Sequence, residues 1–166
     1  FLTLSRAGST TIGDTFSINL EGNVLENLRD FTCDLTFDPE ILKTSSINYG
    51  LFLSNNGIDP TVCSTPHINN VTGQITGISC RRNMDTGVTG AGVLATINFE
   101  AIGIGKSILT IENPVLSSPT GDLIELIVIE KEKVTVDRPH GEVSGKVTDP
   151  LGNPVYGVEV IAFLND

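Results

Sequence analysis

Tryptophan is absent, and only two tyrosines occur among 166 residues. Flat rings that stack on sugar faces are therefore scarce, and most of the seven phenylalanines fall on inward-alternating positions, which weighs against a carbohydrate platform. Cations are few as well: ten Lys and Arg stand against twenty Asp and Glu, a formal charge of −10. Phosphate binding needs clustered Lys and Arg, so a nucleic-acid partner is not expected. No apolar run reaches the roughly 18 residues of a membrane-crossing helix, so no membrane insertion is expected either. The two histidines, His67 and His140, are isolated and give no zinc spacing. EF-hand loops, nucleophile elbows and phosphate loops are also missing. These absences predict no catalytic residue, no metal site and no cofactor of the chain's own.

What is plentiful is threonine, isoleucine, valine and glycine, the composition of strands and turns. The clearest element is Phe31-Thr32-Cys33-Asp34-Leu35-Thr36-Phe37, which alternates strictly, with Phe31, Cys33, Leu35 and Phe37 on one face. That period of two predicts a half-buried strand. Asp38-Pro39 stops it, because proline cannot donate to a ladder, and Ile41 and Leu42 return to the core beyond the corner. Further strands are predicted at residues 1–5, 16–20, 47–53, 61–69, 74–82, 92–99, 107–112 with 115 onward, 123–129 and 131–136. Residues 21–28 read as a loop, 87–92 as a glycine-rich link, and the apolar run 123–129 as a strand buried on both faces. The whole predicts an all-β, all-antiparallel jelly-roll or Greek-key sandwich of about nine strands. A polar break at 137–141 sets a predicted boundary, with residues 1–138 as the sandwich and 139–166 as a linker and a hairpin fragment.

Three cysteines leave one unpaired in any bridge. Cys33 belongs to the inward face of the central strand, where a free cysteine acts as a small hydrophobe. If Asn69 faces Gln74 across the turn Asn70-Val71-Thr72-Gly73, Cys63 stands opposite Cys80. An oxidising compartment would join them in a disulfide, and a reducing one would leave two neighbouring thiols. Asn70-Val71-Thr72 is also a glycosylation sequon at a predicted hairpin tip.

The central strand with its corner Phe37-Asp38-Pro39-Glu40-Ile41-Leu42 resembles that of cohesin domains. So do Thr11-Ile12-Gly13-Asp14-Thr15-Phe16-Ser17-Ile18 and Gly92-Val93-Leu94-Ala95-Thr96-Ile97-Asn98-Phe99, in the same order. The resemblance implies a non-catalytic, extracellular or cell-surface module that docks dockerin-bearing proteins onto a scaffold, often in polysaccharide degradation. Calcium is then expected on the dockerin. It further implies a flat docking sheet, on which Asp30, Thr32, Asp34, Thr36 and Glu112 are candidate contacts, with Glu125 on a following loop. Familiar cohesins often carry Asn then Asp where this chain has Asp30 then Thr32. The run Gly145-Lys146-Val147-Thr148-Asp149-Pro150-Leu151-Gly152-Asn153-Pro154 resembles the start of a carboxypeptidase regulatory-like module. Too few strands are present there to enclose a core, so this tail is expected to borrow a surface, either the sandwich or a second copy in a homodimer. Two other readings stay open: a structural spacer or adhesin domain of a surface protein, and a carbohydrate-binding module.

Overall fold

A computed structural model describes residues 1–6, 10–125, 131–139, 145–157 and 159, apart from the side chain of Val24. The described residues form eleven strands: β1 (Leu2–Ser5), β2 (Thr10–Thr11), β3 (Thr15–Leu28), β4 (Asp30–Thr36), β5 (Leu42–Tyr49), β6 (Thr61–Cys63), β7 (His67–Asn69), β8 (Gln74–Arg82), β9 (Val88–Ala101), β10 (Gly105–Ser117) and β11 (Glu132–Asp137). They assemble into two sheets, one ordered β1-β3-β9-β5 and the other β2-β11-β10-β4-β8-β6, with β7 also on β8. The inward faces close on one core in which Ile18, Leu20, Leu28, Leu42, Ile75, Ile78, Ile97, Phe99 and Leu109 are fully buried.

β4 lies in the middle of the larger sheet, and its alternation decides what that sheet buries. Phe31, Cys33, Leu35 and Phe37 are all buried, whereas Asp30, Thr32, Asp34 and Thr36 face outward and are half-buried. Burial pushes the Cys33 thiol up to about 12, with the neighbouring Asp34 charge adding to the effect. At the corner, Leu42 N–H donates to Asp38 C=O (2.9 Å), Glu40 N–H to Asp38 Oδ1 (2.9 Å), and Asp38 N–H to Ser107 Oγ (2.9 Å). The turn residue Gly73 packs beside this corner. A Cβ there would sit 2.0 Å from Phe37 C=O, and its φ of +67° is itself a glycine conformation.

Several expectations are corrected. The sheet is not wholly antiparallel, because Thr10–Thr11 pairs with β11 in parallel. The N-terminal chain crosses from one sheet at β1 to the other at β2, and so meets β11 running in the same direction. The expected loop at 21–28 is the second half of β3, whose register with β9 slips three times. Those bulges spread the inward residues Leu20, Leu25 and Leu28 to spacings of five and three, which hides the period of two. Residues 88–92 of the expected link belong to β9, again behind a slipped register. The strand expected at 47–53 starts and stops earlier, at Leu42–Tyr49, and 51–58 are turns containing two left-handed asparagines, Asn55 and Asn56. Pro66, which has no N–H, divides 61–69 into β6 and β7. Leu123 is 75% exposed rather than buried on both faces, and 126–130 lie outside the described residues.

Part of the tail hairpin, including Val143, Val158, Val160 and Ala162, also lies outside the described residues. Within the described part, Thr148 bridges Pro154. Hydrogen bonds from Asn153, backbone first and then side chain, hold the Asp149 carboxyl below the usual carboxylate range. Val147, Leu151, Val155 and Tyr156 are exposed.

Two ties close the sandwich at the β5 edge. Asn70 uses its whole amide on Thr44, accepting from the Thr44 N–H (2.8 Å) and donating to the Thr44 C=O (3.0 Å). A side chain thus replaces the strand that β5 lacks on that side. Tyr49 reaches from β5 to the other sheet, its hydroxyl 2.8 Å from Ser64 Oγ and accepting from the Ser79 N–H at 3.1 Å. The sequon asparagine is therefore a structural residue in this fold. Asn70→Ala should cost about 1–3 kcal/mol, since two backbone groups beside the buried Thr44 lose their partner. Urea denaturation would show it, and an unchanged midpoint would overturn this role.

Cys63 and Cys80 face each other in the β6–β8 ladder and are joined in a disulfide. Thiol titration of the unreduced protein should therefore find one reactive group per chain, Cys33, and only after unfolding.

Candidate functional site

Each sheet has an outward face, and the two differ in chemistry. On the β1-β3-β9-β5 sheet the outward side chains are occupied with one another. Ser17 Oγ donates to Asn98 Oδ1 (2.6 Å), and Asn98 Nδ2 donates to Ser46 Oγ (2.9 Å), a chain that crosses three strands. Thr96 Oγ1 donates to Asn19 Oδ1 (2.9 Å), and Ser5 Oγ to Glu21 Oε1 (2.7 Å). No large exposed hydrophobic of the described residues lies on the outward side of these strands. A partner would have to break hydrogen bonds there and would gain little apolar burial in return.

The outward face of β6-β8-β4-β10 is open instead. Val62, Val115 and Leu123 are exposed on it at 66%, 45% and 75%. Strand pairing sets the sequence-derived candidates among them. Asp30 lies between Arg81 and Ser117, Thr32 between Ser79 and Val115, and Thr36 between Gln74 and Thr110. Asp30 is neutralised in place: its Oδ1 is 3.3 Å from Arg81 Nε, and its Oδ2 accepts from Ser117 Oγ at 3.5 Å. Two shallow depressions follow β4. Asp30, Thr32, Val62, Ser79, Arg81, Val115 and Ser117 help to line the first, and Asp34, Thr36, Gln74, Thr76, Glu112 and Asn113 help to line the second.

Asp34 separates from its neighbours in role. Its Oδ1 accepts the Gly77 N–H (2.8 Å) on β8, and its Oδ2 accepts from Asn113 Nδ2 (3.0 Å) on β10. Both flanking strands bulge at that level, β8 between the partners of Cys33 and Leu35 and β10 between Glu112 and Val115. Gly77 and Asn113 have φ of +73° and +49°, in the left-handed region. One carboxylate in the central strand thus holds a bulge on either side. Asp34, a candidate contact, thus faces outward with both oxygens already bonded within the sheet.

The other acids remain available. Glu112 is exposed and lies opposite Asp34. Glu125 is exposed two residues beyond the Ser117–Leu123 bridge, on the far side of β10 from β4, so it borders the face rather than sitting at its centre. Arg81, Val62, Val115 and Leu123 were missed in the sequence. The hairpin register places Arg81 beside Val62, and the three-residue step from Ile75 to Ile78 around Gly77 is the trace of the bulge.

Another depression, of about 430 Å³, lies elsewhere, against the 51–58 turns, and is lined by Phe52, Asn55, Asn56, Arg82, Gly87, Val88, Thr89 and Ala91. Its buried cation is committed to structure: Arg82 Nη2 is 2.9 Å from Asp59 Oδ2 and ties those turns to β8. No group of three or more His, Cys, Asp or Glu that could hold a metal ion occurs among the described residues.

No protein-family model matches the sequence, and no curated protein matches it. Solved structures do resemble the fold. A non-cellulosomal cohesin from the archaeon Archaeoglobus fulgidus superposes with a TM-score of 0.64 at 12% identity, covering 82% of this chain and 89% of that one. The type II cohesin–X–dockerin complex from Acetivibrio cellulolyticus gives 0.66 at 14% identity, over 82% and 99% of the two chains. The third ScaC cohesin of Acetivibrio cellulolyticus, solved in complex with the ScaB dockerin, gives 0.62 at 23% identity, over 82% and 99%. The chain therefore has the cohesin fold.

The Asp34 clamp generates a direct test. Asp34→Ala should lower stability by about 1 kcal/mol, a modest amount because water reaches both freed donors. It should also speed hydrogen exchange at the Gly77 amide, while Thr32→Ala leaves that amide unchanged. Equal exchange in the two variants would remove the clamp.

Proposed function

We propose that this chain is a non-catalytic, extracellular interaction module that docks a dockerin-type protein on the outward face of β6, β8, β4 and β10. The observation that carries this reading is the asymmetry between the two faces: one is closed by its own hydrogen bonds, and the other exposes aliphatic groups around a polar strand. Exposed aliphatic groups gathered on one sheet face are where a partner gains the most from burial. The cohesin fold supports the same assignment, since neighbours with that fold are found in complex with dockerins. A disulfide between Cys63 and Cys80 fits an oxidising, extracellular compartment.

The proposed docking unit is residues 1–138, with 139–166 as a linker and partial module. Thr32 and Thr36 are the contacts assigned to the central strand, Asp30 contributes through its pair with Arg81, and Glu112 and Glu125 steer from the border. Calcium belongs to the partner in this reading, because dockerins carry EF-hand-like loops. The archaeal neighbour is described as non-cellulosomal. Polysaccharide degradation therefore does not follow from the fold, and the proposal is limited to docking.

A panel of calcium-loaded dockerins, measured by surface-bound titration, tests the reading. At least one should bind, lose binding in excess chelator, and lose at least tenfold in affinity to Thr32→Arg but not to Thr15→Arg, which lies on the closed face. No binding across the panel, or equal loss in both variants, would sink it.

A further inference from the structure

β8 ends at Arg82, β9 begins at Val88, and the 51–58 turns follow the end of β5. The depression of about 430 Å³ between these segments therefore lies at one end of the sandwich, off the face assigned to docking. Its volume falls in the range of sites that hold a small molecule. Short side chains make the space. The first residues of β9, Val88-Thr89-Gly90-Ala91-Gly92, are small where the rest of that strand carries Leu, Ile and Phe. At Gly92 a Cβ would lie 2.7 Å from the Phe52 ring, so the glycine lets that ring settle against β9 as an apolar wall.

The polar lining is uncommitted. Asn55 and Asn56 use their backbone N–H groups on Phe52 C=O (3.2 Å) and Leu51 C=O (3.0 Å), but no described residue bonds to either side-chain amide. Both asparagines are exposed, and their left-handed backbone (φ +48° and +59°) fixes the turn that carries them. Thr89 Oγ1 accepts the Asn27 N–H (3.0 Å) and keeps its own hydrogen to donate. Arg82, also in the lining, is buried with its Nη2 on Asp59, while its Nε has no partner. The outward face of the β1-β3-β9-β5 sheet is the opposite case, because its polar side chains are bonded to one another.

This chemistry selects a class of ligand. Asp59 cancels the charge of Arg82, and a net charge of −10 disfavours anions. The lining holds no His, Cys, Asp or Glu for a metal ion. An apolar ligand would leave the amides unpaired and buried. Each amide instead offers an acceptor oxygen beside two donor hydrogens, and Thr89 adds a donor. Neighbouring hydroxyls on a saturated ring donate and accept in the same way, and the C–H face of such a ring packs on an aromatic side chain.

We propose that this depression binds one or two residues of a neutral sugar, held between the Asn55–Asn56 turn and the start of β9 with Phe52 as the apolar wall. The scarcity of Trp and Tyr weighs against a flat platform for a long polysaccharide, but a depression that takes a short piece needs no such platform. Occupancy of this site does not depend on the docking reading, since no residue is shared between the two.

Isotope-labelled intact chain, titrated with cellobiose, maltose, lactose or mannobiose and followed by amide NMR, tests the site. Additions to about 20 mM reach millimolar affinities. At least one sugar should shift the Asn55, Asn56, Gly57 and Thr89 amides saturably and leave Thr32 and Thr36 in place. Asn55→Gly/Asn56→Gly keeps the left-handed backbone, removes both amides and should weaken binding at least tenfold. Ala91→Arg keeps the amides, fills the space from β9 and should do the same, whereas Thr36→Arg should not. The two site variants act through different segments, so either one decides the matter if melting curves show that the other fails to fold. No saturable shift with any of these sugars, shifts confined to other residues, or full affinity in a folded site variant would overturn the proposal. Glucuronic acid binding as tightly as the neutral sugars would overturn it as well.

Discussion

A strict period of two in the middle of a sheet leaves little freedom to what surrounds it. β4 has a hydrogen-bonded neighbour on each side, so the faces that Phe31, Cys33, Leu35 and Phe37 choose are imposed on β8 and β10 as well. A one-residue slip would turn four apolar side chains into water and bring Thr32, Asp34 and Thr36 into the core. Each buried Leu or Phe contributes roughly 1.5–3 kcal/mol, so the slip would exceed any local gain from turn or edge chemistry. The corner at Asp38-Pro39, the hairpin at Gly73 and the closure by β5 all follow from where that strand must lie.

The same strand explains why the open face is uneven. Flanking strands that bulge at one level would ordinarily leave unpaired amides and a local twist. Asp34 sits between the two bulges and accepts from both sides, which keeps the sheet continuous across them. The two depressions along β4 therefore have different characters. The first is edged by aliphatic groups around a neutral centre. The second is polar and bordered by Glu112.

Legibility in the sequence followed the regularity of the pairing. β4, β8 and the Cys63–Cys80 opposition could be read because alternation and a short hairpin carry their own register. The second half of β3 and the start of β9 could not, because bulges set Leu20, Leu25 and Leu28 at uneven spacings that resemble a loop. The outward positions of β4 were readable as a face, but not what each does there. Whether Asp34 is free or bonded depends on Gly77 and Asn113, which are 43 and 79 residues away along the chain. Val62, Arg81 and Leu123 were hidden for a related reason, since a row across strands has no signature along any one of them. Asn70 shows the converse. A three-residue motif marks an acceptor sequon, but nothing along the chain shows that its amide is used by Thr44 at the far edge of the other sheet.

The disulfide has a mechanical consequence if the module is pulled from its ends, as a link in a tethered assembly is. Cys63 and Cys80 are separated by 17 positions. The segment between them cannot be drawn out while the bond is intact, which withholds roughly 55–60 Å of contour length from a fully extended chain. Under tension the hairpin of β7 and β8 would stay a closed loop that bears no load. Force would pass from β6 into β8 through the sulfurs and bypass the Asn70 tip. Reduction would release that hidden length in one step, so the same bond sets how far the linkage can stretch.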